Sequence, residues 1–265
     1  MTTPTKPLVD IQSNPVVDIA PERLHAGDFD FQIAYARSAE AYAMNEYNQD
    51  AFALRVATQR FVAVVADGVG QSFRGDVAAM AVAQTITQVL WQIDLSNEAL
   101  VREVLCQQLI ALVPKVTQSI HDVDISQHPT IFREALMQRR DFGSESVFVA
   151  VVIDTHTNHM ICYWMGDCRL RIYDRSGSVV PIATAQFQTM ERWSSSRMIY
   201  GDLHVLSCPA HTISRIVLYS DGLHTLDSLP LTQGDLTAVV STHMATSRTS
   251  PESDDISLIV VDVRR

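Results

Sequence analysis

Two packed sheets flanked by helices are the architecture this sequence predicts, and three observations carry it. Apolar runs of strand length recur along the chain, and separate stretches show the three-and-four spacing of amphipathic helices. The third is that strands bordered by aspartate fall into an antiparallel order, in which the end of one strand lies beside the start of the next.

The elements follow in order. Residues 1–27, with Pro4, Pro7, Pro15 and Pro21, read as a flexible N-terminal arm, and residues 28–265 as a single domain. Regular signals begin at Phe31. Ala51–Ala57 and Phe61–Ala66 are strand-length runs around Thr58–Gln59, a register that puts Asp50 directly opposite Asp67. Gly75–Ile93 is helical, because Ala79, Val82, Ala83, Ile86, Val89 and Leu90 share one face. A second helix covers roughly Ser96–Ile120 with Ser96 as N-cap, and Pro129–Arg139 forms a shorter third. Strands then dominate: Val147–Asp154, Met160–Met165, Arg169–Asp174, Val179–Ile182, His204–Leu206 and Arg215–Tyr219. A helix near Gln233–Ala245 precedes the last strand, Ile256–Val263.

At 265 residues and 47% hydrophobic, the chain is long enough to bury a substantial core in one domain. Its formal charge of −10 argues against a general nucleic-acid or anionic-membrane binder. Cys106, Cys162, Cys168 and Cys208 show no C-x-x-C spacing, so reduced thiols in a cytoplasmic protein are expected. No apolar run reaches the ~18 residues of a membrane span.

Asp67 ends an apolar strand in Ala66-Asp67-Gly68-Val69-Gly70, and Asp221 does the same in Tyr219-Ser220-Asp221-Gly222. Taken singly, Asp-Gly is mostly a turn signal. With Asp50 and Asp254 on the same edge, the carboxylates repel one another unless a cation lies between them, and hard divalent ions take oxygen ligands of this kind. Such ions polarise phosphoryl oxygens and lower the pKa of water, which points to a metal-dependent hydrolase.

The residues Asn48-Gln49-Asp50, Ala66-Asp67-Gly68-Val69-Gly70, Gly143-Ser144, Gly166-Asp167-Cys168-Arg169, Ser220-Asp221-Gly222 and Asp254-Asp255-Ile256-Ser257 occur in an order that resembles the protein phosphatase 2C (PPM) family, bacterial type, over about Phe31–Val263. The resemblance implies an α+β fold, a four-layer α-β-β-α sandwich of two mainly antiparallel sheets. It implies a phosphoserine/phosphothreonine protein phosphatase holding two Mn²⁺ or Mg²⁺ ions and hydrolysing phosphomonoesters by direct attack of a metal-bridging hydroxide. Asp67 and Asp221 are then catalytic. The metal set is Asp50, Asp67, the Gly68 carbonyl, Asp221 and Asp254, with Asp141 the candidate for a third ion. Asp141 reads equally as a solvated loop residue. The implied partner is a phosphorylated Ser/Thr protein, a kinase or its target, with no nucleic acid or membrane, and the chain is expected to be a monomer.

Asn45 and Gln49 stand where many relatives carry Arg and Glu. Arg37 or Arg74 is the candidate to supply the missing phosphate-binding charge, although each also reads as a plain surface or strand-edge residue. Ser146 is expected to face Asp167, and Glu145 either pairs with Arg169 or lies exposed at a strand start. Cys168 is expected to be an inert small residue rather than a redox centre. Trp193, in the variable segment Ala183–Leu203, is expected to anchor a flap. The rival reading is a pseudophosphatase, a binding module that recognises a phosphoprotein without cleaving it.

Overall fold

The computed structural model describes residues 6–182, 190–232 and 234–264. The strands, in chain order, are β1 (Val9–Gln12), β2 (Ile19–Ala26), β3 (Phe29–Ala36), β4 (Ala51–Val56), β5 (Arg60–Gly68), β6 (Glu145–Asp154), β7 (His159–Met165), β8 (Arg169–Asp174), β9 (Arg192–Ser194), β10 (Met198–Tyr200), β11 (His204–Pro209), β12 (Ile213–Tyr219) and β13 (Ile256–Val263). The α-helices are α1 (Ala39–Ala43), α2 (Gly75–Gln92), α3 (Glu98–His121), α4 (Thr130–Phe142) and α5 (Thr237–Ser247).

One sheet runs β1-β4-β5-β6-β7-β11, with the β9–β10 hairpin attached to β6; the other runs β2-β3-β13-β12-β8. Every pairing is antiparallel. Side chains along a strand alternate between faces, and β5 shows what that alternation does. Phe61, Ala63 and Val65 pack between the sheets with Phe31, Val149, Leu218 and Ile259. Val62, Val64 and Ala66 pack instead against Val82, Ile86 and Leu90 of α2 and Leu105 and Leu109 of α3. Both faces of the strand are covered, which is why it reads as a continuous apolar run. On the far side, Val217, Leu258 and Val260 meet Val240 and Met244 of α5. The result is a four-layer α-β-β-α sandwich, as the resemblance implies.

The hairpin registers match the sequence reading. Ala51 pairs with Ala66, which carries Asp50 to the level of Asp67, and Phe148 pairs with Met165, which carries Ser146 toward Asp167. Other expectations need correction. Residues 9–12 and 19–26, expected within a flexible arm, form β1 and β2, and so belong to both sheets. The alternation Val9-Asp10-Ile11-Gln12 gives β1 one inward face, and the prolines punctuate the segment rather than loosen it. The N-cap of α3 is Asn97, whose side chain accepts from the Leu100 amide at 3.1 Å, rather than Ser96. Val179–Ile182 is not a strand; it contributes a single bridge from Val179 to Tyr173. The last helix starts at Thr237, with Gln233 outside the described residues, and a 3-10 segment, Asp221–Ser228, was not anticipated. The β9–β10 hairpin fills part of the expected flap, of which residues 183–189 lie outside the described residues. Trp193 anchors the hairpin: it is fully buried and its Nε1 donates to the Leu109 carbonyl at 2.8 Å.

Candidate active site

Five chain segments deliver carboxylates to one rim of the sandwich. Asp50 precedes β4, Asp67 lies near the end of β5, Asp167 sits in the β7–β8 turn, Asp221 follows β12, and Asp254 and Asp255 precede β13. The last two segments are stitched together: the Ser220 amide donates to the Ser257 carbonyl at 3.0 Å and the Ser257 amide to Ser220 Oγ at 2.9 Å. Asp50 and Asp255 are buried, Asp67, Asp167 and Asp221 are half-buried, and Asp254 is exposed at the mouth.

Two glycines allow the segments to come this close. A Cβ on Gly68 would overlap the backbone of Gly75, where α2 begins, and one on Gly222 would overlap the Asp255 carbonyl oxygen. Gly68 also donates its amide to the Gln49 carbonyl at 3.1 Å, which ties the Asp50 segment to the Asp67 strand. Asp255 clamps the same region. Its Oδ1 accepts from the Ser38 amide at 2.6 Å and its Oδ2 from the Gln49 amide at 2.5 Å.

The electrostatics follow from that crowding. Burial, then the charges of Asp50, Asp221, Asp254 and Asp167, pushes the Asp67 carboxyl well above the usual range. Burial followed by Asp255 does the same to Asp50, against a hydrogen bond from Ser220. Asp221 is raised by burial, Asp254 and Asp167, and is partly relieved by a hydrogen bond with Asp67 and by Arg169. Asp255 is raised by burial despite its two amide donors. Cys168 lies beneath the cluster, and burial plus the neighbouring carboxylates push its thiol well up, so it is a packing residue.

Among the described residues, no three His, Cys, Asp or Glu side chains already enclose an ion. The donor set nevertheless fits a hard divalent cation. Asp67 and Asp221 are within hydrogen-bonding reach of each other, and the charge of Asp254 acts on both. Asp50 Oδ2 is buried with no partner, a costly arrangement for a carboxylate unless a cation satisfies it. The oxygen-only ligands suit Mg²⁺ or Mn²⁺ rather than a thiolate- or imidazole-seeking metal.

Asp50, Asp67, Gly68, Asp221 and Asp254 are therefore brought together as expected, and Asp167 and Asp255 join them. The signal for Asp167 was its place opposite Ser146 in the β6–β7 register. Asp141 is elsewhere, exposed in the last turn of α4 and absent from the charges acting most strongly on Asp50, Asp67 or Asp221. Glu145 pairs with Arg192 at 3.0 Å rather than with Arg169, which reaches Asp227 instead. Neither arginine considered for the phosphate is free. Arg37 is bound to Asp18 at 3.1 Å, and Arg74 to Asp76 at 2.6 Å with its guanidinium over the Tyr47 ring.

A family model described as protein phosphatase 2C matches residues 37–256. Among solved structures, a serine/threonine phosphatase from S. agalactiae is 15% identical with a TM-score of 0.59, covering 89% of this chain and 100% of that one. Serine/threonine phosphatase Stp1 from Staphylococcus aureus is 13% identical with a TM-score of 0.59, covering 93% and 100%. Serine-threonine phosphatase 2C from Toxoplasma gondii is 12% identical with a TM-score of 0.54, covering 94% and 99%. At these identities the structures speak for the fold. No curated protein matches the sequence. The family match spans most of the chain and takes in the whole aspartate rim, so this chain belongs to the protein phosphatase 2C family and is by class a protein serine/threonine phosphatase.

Proposed function

We propose that the rim is a divalent-metal site at which phosphoserine and phosphothreonine residues of cytoplasmic proteins are hydrolysed by direct attack of water. The observation that carries this reading is the buried, unpartnered Asp50 Oδ2 beside the mutually repelling Asp67, Asp221 and Asp254. Asp67, the Gly68 carbonyl, Asp221 and Asp254 would hold paired Mn²⁺ or Mg²⁺, with Asp50 beneath them. When bound, such ions supply Lewis acidity toward the phosphoryl oxygens and make water a competent nucleophile near neutral pH.

The chain's own residues do the positioning. Asp50 is fixed through its backbone: its carbonyl accepts from Tyr35 Oη at 2.8 Å and its amide donates to Asn48 Oδ1 at 2.8 Å. Asp255 holds the Gln49 amide, and Gly222 lets the Asp221 turn rest on the Asp255 carbonyl. No side chain in the described site is prepared as a nucleophile. Ser144 Oγ donates to the Arg74 carbonyl at 2.7 Å, Ser146 Oγ to the Val147 carbonyl at 2.9 Å, and the Cys168 thiol is kept protonated. That supports water attack without a phospho-enzyme.

The test is hydrolysis of p-nitrophenyl phosphate and a phosphothreonine peptide with Mn²⁺, with EDTA as control. Both activities vanish in Asp67→Asn and Asp221→Asn; wild-type turnover in both variants rejects the assignment. One observation favours a phosphoprotein-binding module without turnover: Arg37 and Arg74 are both committed to internal carboxylates, leaving Asn45 at the usual anchor position. Calorimetric Mn²⁺ uptake with no hydrolysis of any phosphopeptide would establish that second reading.

A further inference from the structure

Beside the rim lies a cleft of about 620 Å³, lined by Gln71, Ser72, Arg139, Glu145, Arg192 and Arg197 among others. Its walls are the turn after β5, the end of α4 and the β9–β10 hairpin. The link to the aspartates is short. The Val69 amide donates to the Glu145 carbonyl at 3.0 Å, the Glu145 amide to Ser72 Oγ at 3.2 Å, and Ser146 pairs with Gly68. The cleft floor is thus one strand residue away from the partner of Gly68.

Its charge runs against the rest of the molecule. In a chain of net charge −10, many arginines are consumed by carboxylates: Arg37 by Asp18, Arg55 by Asp10, Arg60 by Asp154, Arg74 by Asp76 and Arg215 by Asp262. In the cleft, Arg192 is held by Glu145, whereas Arg139 and Arg197 are exposed and, among the described residues, have no carboxylate or hydrogen-bond acceptor for their guanidinium groups. The Arg192–Glu145 pair neutralises itself and fixes the floor, so two unspent guanidinium forks remain on the walls. Such forks match a pair of oxygens on a carboxylate or phosphate. An extended peptide advances ~3.3–3.6 Å per residue, so a chain whose phosphorylated residue sits at the rim passes this cleft within a few residues.

We propose that the cleft binds an anionic group on the substrate protein, carried a few residues from the phosphorylated side chain, through Arg139 and Arg197. Two sources share that chemistry, an acidic side chain and a second phosphorylated residue. This selectivity rests on the phosphatase reading above, and the experiment separates the two.

Phosphothreonine peptides differing at one flanking position (Glu, phosphoserine, Ala or Lys), scanned on both sides, are compared by kcat/KM with Mn²⁺. Their non-hydrolysable phosphonate analogues are compared by fluorescence anisotropy. The expected result is a preference for Glu or phosphoserine over Ala of about three- to tenfold, the modest worth of solvent-exposed ion pairs, diminishing with added salt. Whichever of the two ranks first identifies the source. The double variant Arg139→Glu/Arg197→Glu, altered only at exposed side chains, reverses the order in favour of Lys. Equal affinity of the wild type for all flanks, or an unchanged ranking in the double variant, overturns the proposal. Ranked binding with no hydrolysis of any peptide defeats the phosphatase reading and leaves the cleft assignment standing; hydrolysis without ranking does the reverse.

Discussion

Asp67→Asn should make the metal-free protein more stable while abolishing its activity. The Asp67 carboxyl is raised by burial and by four neighbouring aspartates, so its ionised form opposes folding at neutral pH. Two like charges ~5 Å apart at an effective dielectric of ~20 repel by ~3 kcal/mol. Proton uptake by the cluster and solvent entry relieve part of this, leaving a gain of about 1–3 kcal/mol on neutralisation. The asparagine amide keeps the shape and can donate to Asp221, whose carboxyl lies within hydrogen-bonding reach of residue 67. For a domain of this size each kcal/mol shifts Tm by about 2–4 °C, so the variant melts about 2–12 °C above wild type in EDTA at pH 7. Added Mn²⁺ narrows or inverts the difference. At 100 times its Kd, a metal stabilises the wild type by about 2.7 kcal/mol, an increment the variant largely forgoes. Differential scanning calorimetry with and without Mn²⁺ reads both quantities. If Asp67→Asn melts at or below wild type in EDTA and still shows the full Mn²⁺ shift, Asp67 neither suffers the repulsion nor holds the metal.

In EDTA, stability should fall as pH rises. The folded pKa values of Asp50, Asp67, Asp221 and Asp255 are raised, so the folded state binds protons more tightly than the unfolded chain, whose carboxylates titrate near ~3.9, and loses that advantage as pH climbs through the raised values. A urea midpoint at pH 8 equal to or above that at pH 5 would contradict this. Gly222→Ala places a methyl group into the Asp255 carbonyl and should cost about 1–3 kcal/mol with loss of Mn²⁺ affinity by calorimetry; retention of both would show that the turn gives way freely. Asp255→Asn leaves one of two amide donors facing an NH₂ group and should lower the urea midpoint by the equivalent of about 1–3 kcal/mol, with wild-type stability refuting the clamp. Trp193→Ala empties a fully buried site and should cost about 3–5 kcal/mol in chemical denaturation, and an effect under about 1 kcal/mol would mean the hairpin is held elsewhere.

Much of the rim was legible because strand registers are arithmetic. The turn at Thr58–Gln59 fixes Ala51 against Ala66, and one further step on each side brings Asp50 and Asp67 level. The antiparallel pairing of β12 with β13 brings Asp221 and Asp254 to one edge, though not directly opposite each other. What stayed hidden depends on contacts between segments far apart in sequence. Nothing local distinguishes Arg37 as already bound, since Asp18 is nineteen residues away; Arg74 is the exception, because its partner Asp76 is only two residues on. The Arg192–Glu145 pair bridges two β-strands brought side by side only by the β6–β9 pairing. Asp141 resembles a ligand in sequence because it precedes Gly143-Ser144, but α4 continues to Phe142 and carries it along an exposed helix instead. β1 and β2 were masked by prolines beside the first and, at Pro21, within the second, which signal breaks without saying what lies between them.

The opening segment has a consequence of its own. Residues 9–12 close the outer ladder of β4 and residues 19–26 that of β3, so one short length of chain seals a border of each sheet. Proteolytic clipping near Phe29 would bare two rows of amides and carbonyls at once, inviting self-association through strand addition. By the same logic, a synthetic peptide spanning that segment should act as a donor strand, restoring a clipped molecule to solubility.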